Sequence, residues 1–316
     1  MATYKEIKGT NIEVLASDPS NPVEGQVWYN TTSNVLKGQA ATTAGAWATG
    51  GNLNTARVYL AGAGTQTAAL AFGGTAPPIK NETESYNGTN WTEVNNLNTA
   101  RFALAGAGTQ TAALAFGGRP SPSPVGAETE NWNGSNWTEV NDLNTARSTL
   151  AGAGTNTAAL AFGGTTNSTE IWNGTNWTAN PSSLNTSRNY IAGAGISTAA
   201  LAFGGDPALA ITELWNGSSW TEVNDLNTGR IAIGAAGIST AALAFGGYPV
   251  TGKTESWNGT NWTEDTDLST ARDGLGGAGT NTSALAFGGG DGVPVKTATE
   301  EWTGAGAGVT RTFTDS

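Results

Sequence analysis

Along most of the chain, short apolar runs alternate with polar turns, and no window holds a convincing 3.6-residue period. In Thr67-Ala68-Ala69-Leu70-Ala71-Phe72 the side chains of Ala68, Leu70 and Phe72 share one face, the two-residue period of a strand, and Gly73-Gly74 stops the run. Residues 59–64 before it, Tyr-Leu-Ala-Gly-Ala-Gly, read as a first strand of mostly small residues. A third strand, Thr83 to Tyr86, reaches Asn87-Gly88, a strong signal for a tight hairpin, and a fourth starts at Trp91. The chain is therefore expected to be all-β.

The same unit recurs. Leu-Asn-Thr-Ala-Arg, or a close variant, ends at Arg57, Arg101, Arg147, Arg188, Arg230 and Arg272, at intervals of 44, 46, 41, 42 and 42 residues. A Phe-Gly-Gly follows each Arg with its Phe always 15 residues on, and a Thr-Glu comes next, at Glu84, Glu130, Glu170, Glu213, Glu255 and Glu300. In five units a Trp stands seven residues after that Glu. The Phe-to-Glu interval alone varies widely, from 8 to 14 residues, so length variation gathers in the connection between the second and third strands.

Four strands in about 42 residues match one blade of a β-propeller. Counting strands predicts six four-stranded blades, the last completed by an N-terminal strand around Trp47, which stands 10 residues before Arg57. Gly- and Ala-rich first strands suit the innermost position, where large side chains would collide. Residues 1–38 lack the repeat landmarks and are expected to form an arm or hairpin for attachment, with 39–316 as the propeller.

Composition narrows the chemistry. The 316 residues include no Cys and no His, which removes thiol nucleophiles, thiolate and imidazole metal sites and Ser–His–Asp catalysis. The net charge of −11 argues against nucleic acid. No apolar run approaches a membrane span, and the N-terminus has no apolar core of a signal peptide. No catalytic residue, metal or cofactor is expected.

Double Gly, Glu with an aromatic, then Trp and Arg, in order six times over residues 47–302, resembles the kelch repeat. The stretch Asn21 to Gly38 is similar to a segment near the start of tailed-phage virion proteins, which in marine phages precedes kelch-like repeats rich in Gly, Asn, Thr and Trp. Together these resemblances imply a virion surface protein, tail-associated or capsid-decorating, within a larger assembly. The implied partners are other virion proteins and a host-surface glycan or protein. The kelch-type copper oxidases' His and Cys ligands have no counterpart here. The Trp-Asn-Gly-Thr-Asn-Trp turn also lacks the Asp of the sialidase Asp-box.

Each repeated Arg could mark an anion site on the ring axis, but recurrence in every unit favours a structural pair with the repeated Glu. Trp pairs flanking the hairpins, such as Trp132 and Trp137, could stack sugars; cross-strand packing is favoured. Turn chemistry accounts for the formal glycosylation sequons at Asn87, Asn90, Asn173 and Asn258. Glu264-Asp265-Thr266-Asp267 lacks calcium-loop spacing and reads as a solvated loop. Partner binding is assigned to the variable loops, through Pro78, Lys80, Arg119, Pro120, Asp206, Tyr248, Lys253 and Asp291, because rigid scaffolds carry recognition on such loops; the other reading is that the loops diverge because nothing constrains them. A glycan-binding lectin or a carbohydrate-active propeller enzyme outside any virion is the alternative.

Overall fold

The computed structural model describes residues 12–19, 26–41, 44–123, 125–292, 295–305 and 308–313. Residues 21–25 of the leader motif and Pro124, Val293 and Pro294 of the variable loops lie outside the described residues. The described residues contain no helix. Two units are present: Met1–Gly45 with Gly304–Ser316, and Ala46–Thr303.

The larger unit is built from repeated four-stranded antiparallel sheets, an arrangement consistent with a β-propeller. In the first sheet the strands are Ala61–Gly64, Ala69–Phe72, Thr83–Tyr86 and Trp91–Val94, paired in chain order. Four further sheets repeat this order along the chain. The sixth consists of Gly276–Gly279, Ser283–Phe287, Thr299–Thr303 and, from the other end of the unit, Ala46–Thr49. There Trp47 stands opposite Trp302, as Trp137 stands opposite Trp132 in the second sheet.

The first strand begins at Ala61, two residues later than its apolar pattern suggests, because Tyr59 adopts a left-handed backbone with φ 56°. The second strand is buried on both faces rather than one: Ala69, Leu70, Ala71 and Phe72 are all inaccessible. Each sheet is sandwiched between neighbours, so both faces of its second strand meet apolar atoms. This explains why Ala fills the positions that alternation would make polar.

One contact joins the sheets, repeated six times. The Trp at the start of each fourth strand, first in five sheets and second in the sixth, lies against the Phe of the preceding sheet: Trp137 on Phe72, Trp177 on Phe116, Trp220 on Phe162, Trp262 on Phe203, Trp47 on Phe245 and Trp91 on Phe287, with ring centroids 4.9–5.1 Å apart. Its indole N–H donates to the Thr that opens the preceding sheet's third strand, as Trp137 does to Thr83 and Trp91 to Thr299, both at 3.0 Å. The buried apolar ring is thus hydrogen-bonded as well as packed. Leu53, Leu60, Tyr86 and Trp91 form one cluster with Ala278, Leu285 and Phe287, so the first and sixth sheets pack together.

The small residues of the first strands are a steric requirement. A Cβ on Gly62 would stand 2.5 Å from Cζ of Phe287 and 2.8 Å from the carbonyl oxygen of Gly277.

The smaller unit is a sheet in the order Glu13–Leu15, Val27–Asn30, Val35–Ala41, Gly308–Phe313. The first pair is parallel and the others antiparallel. Asp18 organises it: its carboxylate accepts from the Trp28 indole (3.0 Å), the Asn30 amide (2.7 Å) and the Lys37 ammonium (2.7 Å). The Lys37 contact foremost holds the Asp18 pKa down at about 2.

Candidate functional site: the loop-bearing end of the sheets

The repeated Arg and Glu form ion pairs within the framework. Arg57–Glu84, Arg101–Glu130, Arg147–Glu170, Arg188–Glu213, Arg230–Glu255 and Arg272–Glu300 are 2.7–3.1 Å apart and buried. Burial draws each guanidinium pKa below its ordinary value, while the facing Glu opposes that shift. Arg57 also donates to the carbonyls of Gly73, Glu82 and Ala71. The second oxygen of Glu84 accepts from the backbone N–H and the side-chain amide of Asn54, and that amide donates again to the Trp91 carbonyl. The Leu-Asn-Thr-Ala-Arg motif thereby fastens the segment entering a sheet to that sheet's third and fourth strands. The sixth copy differs: Ser269 replaces the Asn and offers its backbone N–H alone to Glu300.

The Trp pairs are equally internal. Trp132 and Trp137 are buried with centroids 5.3 Å apart, and the Trp132 indole donates to the Gln110 carbonyl.

Immediately after each Arg the repeat breaks its own pattern. The next two residues are Val58-Tyr59, Phe102-Ala103, Ser148-Thr149, Asn189-Tyr190, Ile231-Ala232 and Asp273-Gly274. The second of each pair is left-handed, with φ between 51° and 59°. Five of the six are not glycine, although L-residues there cost roughly 1 kcal/mol or more. Backbone hydrogen bonds chain them together: Ala103 donates to Tyr59, Thr149 to Ala103, Ala232 to Tyr190, Gly274 to Ala232 and Tyr59 to Gly274, at 2.7–3.0 Å.

These residues border a cavity of about 160 Å³ whose lining comes from all six first strands and their approaches. Tyr59 and Tyr190, from the first and fourth units, meet there with centroids 5.6 Å apart at 51°. The Tyr59 ring takes the room left by Gly274, where a Cβ would be 3.0 Å from Cδ1 and Cε1. Burial, then the nearby Asp273 and Tyr190, push the Tyr59 phenol up to about 12. The Thr149 hydroxyl donates to the Ser148 carbonyl and contacts Asn189 Oδ1 at 3.1 Å.

The variable loops are stitched to this border. Val58 bridges Thr75, Ile231 bridges Tyr248, Asp273 bridges Gly290, and Phe102 pairs with Arg119. Pro78 and Asp206 are exposed, and Tyr248 keeps 52% of its surface. The Arg119 guanidinium lies over the Phe102 ring at 5.8 Å, and the adjoining Pro120 is buried opposite Arg101. Lys80, Lys253 and Asp291 make local ion pairs with Glu82, Glu264 and Lys296.

Loop length draws attention to the loops but conceals the dipeptide after Arg, which varies within a fixed Arg-to-Phe interval. The signal that finds it is side-chain divergence between two constant motifs. Among the described residues no group of three or more acidic side chains is placed to hold a metal ion. No family model matches the chain, and no curated protein matches it.

Proposed function

We propose that the chain is a non-enzymatic virion surface protein of a tailed phage, and that its repeats close into a six-bladed kelch-like β-propeller. Ala46–Thr49 completes the sixth blade, and the loop-bearing face attaches to a host-surface molecule or a neighbouring virion protein. Packing of the first sheet on the sixth supports closure. The leader resemblance supports the virion.

One observation carries the binding role. On a framework repeated almost unchanged, loop length and the residues after Arg both vary, and backbone pairing brings these variations to the same end of the sheets. Recognition surfaces on rigid scaffolds have this distribution. Immunogold labelling of purified particles with antibodies to the chain tests the location; unlabelled particles overturn it. Exchanging the longer loops for the short Thr165–Ser168 version tests the face. Lost binding to host cells or particles with an unchanged melting temperature supports it, and full binding after all exchanges removes it.

A further inference from the structure

We infer that the cavity bordered by Tyr59, Thr149 and Tyr190 is a binding site for one neutral sugar ring, the end residue of a glycan. This rests on the proposal that the loop-bearing face is the recognition face.

Size sets the first limit. A cavity near 150 Å³ accommodates benzene, so about 160 Å³ takes the ring face of one pyranose with its outer hydroxyls left in solvent, and no longer stretch of glycan. Charge sets the second. No charged side chain lines the cavity; Leu, Ile, Ala and Gly surround the two tyrosines and the threonine. A phosphate or a carboxylate entering it would lose water without gaining a counter-charge. Asp273 beside Tyr59 adds repulsion for anions.

The polar groups present fit hydroxyls. A tyrosine offers a flat apolar face and one O–H that both donates and accepts. Neither the Tyr59 nor the Tyr190 hydroxyl makes a hydrogen bond to another described residue, and both residues line the cavity. Aromatic faces, neutral hydroxyls and apolar walls match the apolar C–H faces and equatorial hydroxyls of a pyranose.

The repeat supplies the argument for purpose. Ala103, Ala232 and Gly274 occupy the equivalent positions with small side chains, so the framework does not require an aromatic there. Tyrosine stands at two left-handed positions where glycine, as at Gly274, removes the strain.

The experiment presents methyl glycosides of glucose, galactose and mannose, and N-acetylglucosamine, to the full chain. Saturation-transfer NMR and calorimetry read binding. At least one is expected to bind with a Kd of about 1 mM, typical of a single small contact. Tyr59→Gly and Tyr190→Gly, which use the backbone solution already present at Gly274, are expected to weaken it at least about tenfold. Ile196→Thr, at the far end of the strands, is expected to leave it unchanged. The inference is overturned if none of the four binds, if the tyrosine variants bind as well as the parent, or if N-acetylneuraminic acid or choline binds in their place. If loop exchange abolishes partner binding while both tyrosine variants retain it, the loop-face reading stands and the sugar site falls. If neither set of changes affects partner binding, both fall.

Discussion

The Tyr86 hydroxyl donates to the Glu301 carboxylate, and neither residue type occurs at the equivalent place in any other unit. The other units carry Trp where Tyr86 stands, and Ser, Asn, Ile or Leu where Glu301 stands. Two departures from the repeat thus meet where the first sheet packs on the sixth. Burial and then Glu301 push the Tyr86 phenol up to about 12.

Because the folded pKa is raised, the stabilisation from protonated Tyr86 is complete below about pH 10, the ordinary tyrosine value. It is lost as pH rises through about 12. Denaturant unfolding at a series of alkaline pH values is expected to show this decline, and Tyr86→Phe is expected to reduce it. The same substitution should cost about 1.5 kcal/mol at pH 8, the low end for a hydrogen bond to a charged group. A Tyr86→Phe chain with unchanged stability and an unchanged alkaline decline would refute the linkage.

Arg147→Met leaves the Glu170 carboxylate buried without its counter-ion and is expected to cost about 3–5 kcal/mol. Adding Glu170→Met removes the stranded charge, so the double variant should lose less than the sum of the two single losses. Urea denaturation of all four proteins measures this, and strictly additive losses would show the pair to be uncoupled.

Ser269→Asn restores what five other units possess, an amide reaching both the buried Glu and the carbonyl of the Trp opening the fourth strand. In the sixth unit those acceptors are Glu300 and Trp47. A gain of about 1 kcal/mol is expected, the net value of a typical hydrogen bond. Calorimetry would register it as a rise of about 2 °C. A fall in the midpoint would mean that the sixth sheet has no room for the amide.

In the smaller unit, the depressed pKa of Asp18 gives stabilisation that is present above about pH 4, the ordinary aspartate value. It is lost as pH falls through about 2. The indole N–H resonance of Trp28, which donates to Asp18, should titrate with a midpoint near 2 in NMR spectra. A midpoint near 4 would mean that Lys37 does not hold the carboxylate.

The landmarks Arg57, Phe72, Glu84 and Trp91 were legible because each recurs at nearly fixed spacing, and fixed spacing in strands implies one register. Asn87-Gly88 marked its turn for the same local reason. The left-handed backbone at Tyr59 was not legible, because tyrosine has no preference for that region. The burial of both faces of Ala69–Phe72 was hidden as well, since alanine is compatible with either side of a sheet. The cavity escaped because its tyrosines are far apart in sequence, and the turns that bring them together leave no mark on interval lengths.

The sixth sheet imposes an order on folding during synthesis. Trp47 leaves the ribosome about 255 residues before Trp302, the residue it faces. Until then the Ala46–Thr49 segment has no sheet to join. A chain that stops early presents unpaired strand edges to proteases and to other nascent chains. The pairing of Trp47 with Trp302 therefore works as a completeness check, passed only by molecules translated through Thr303.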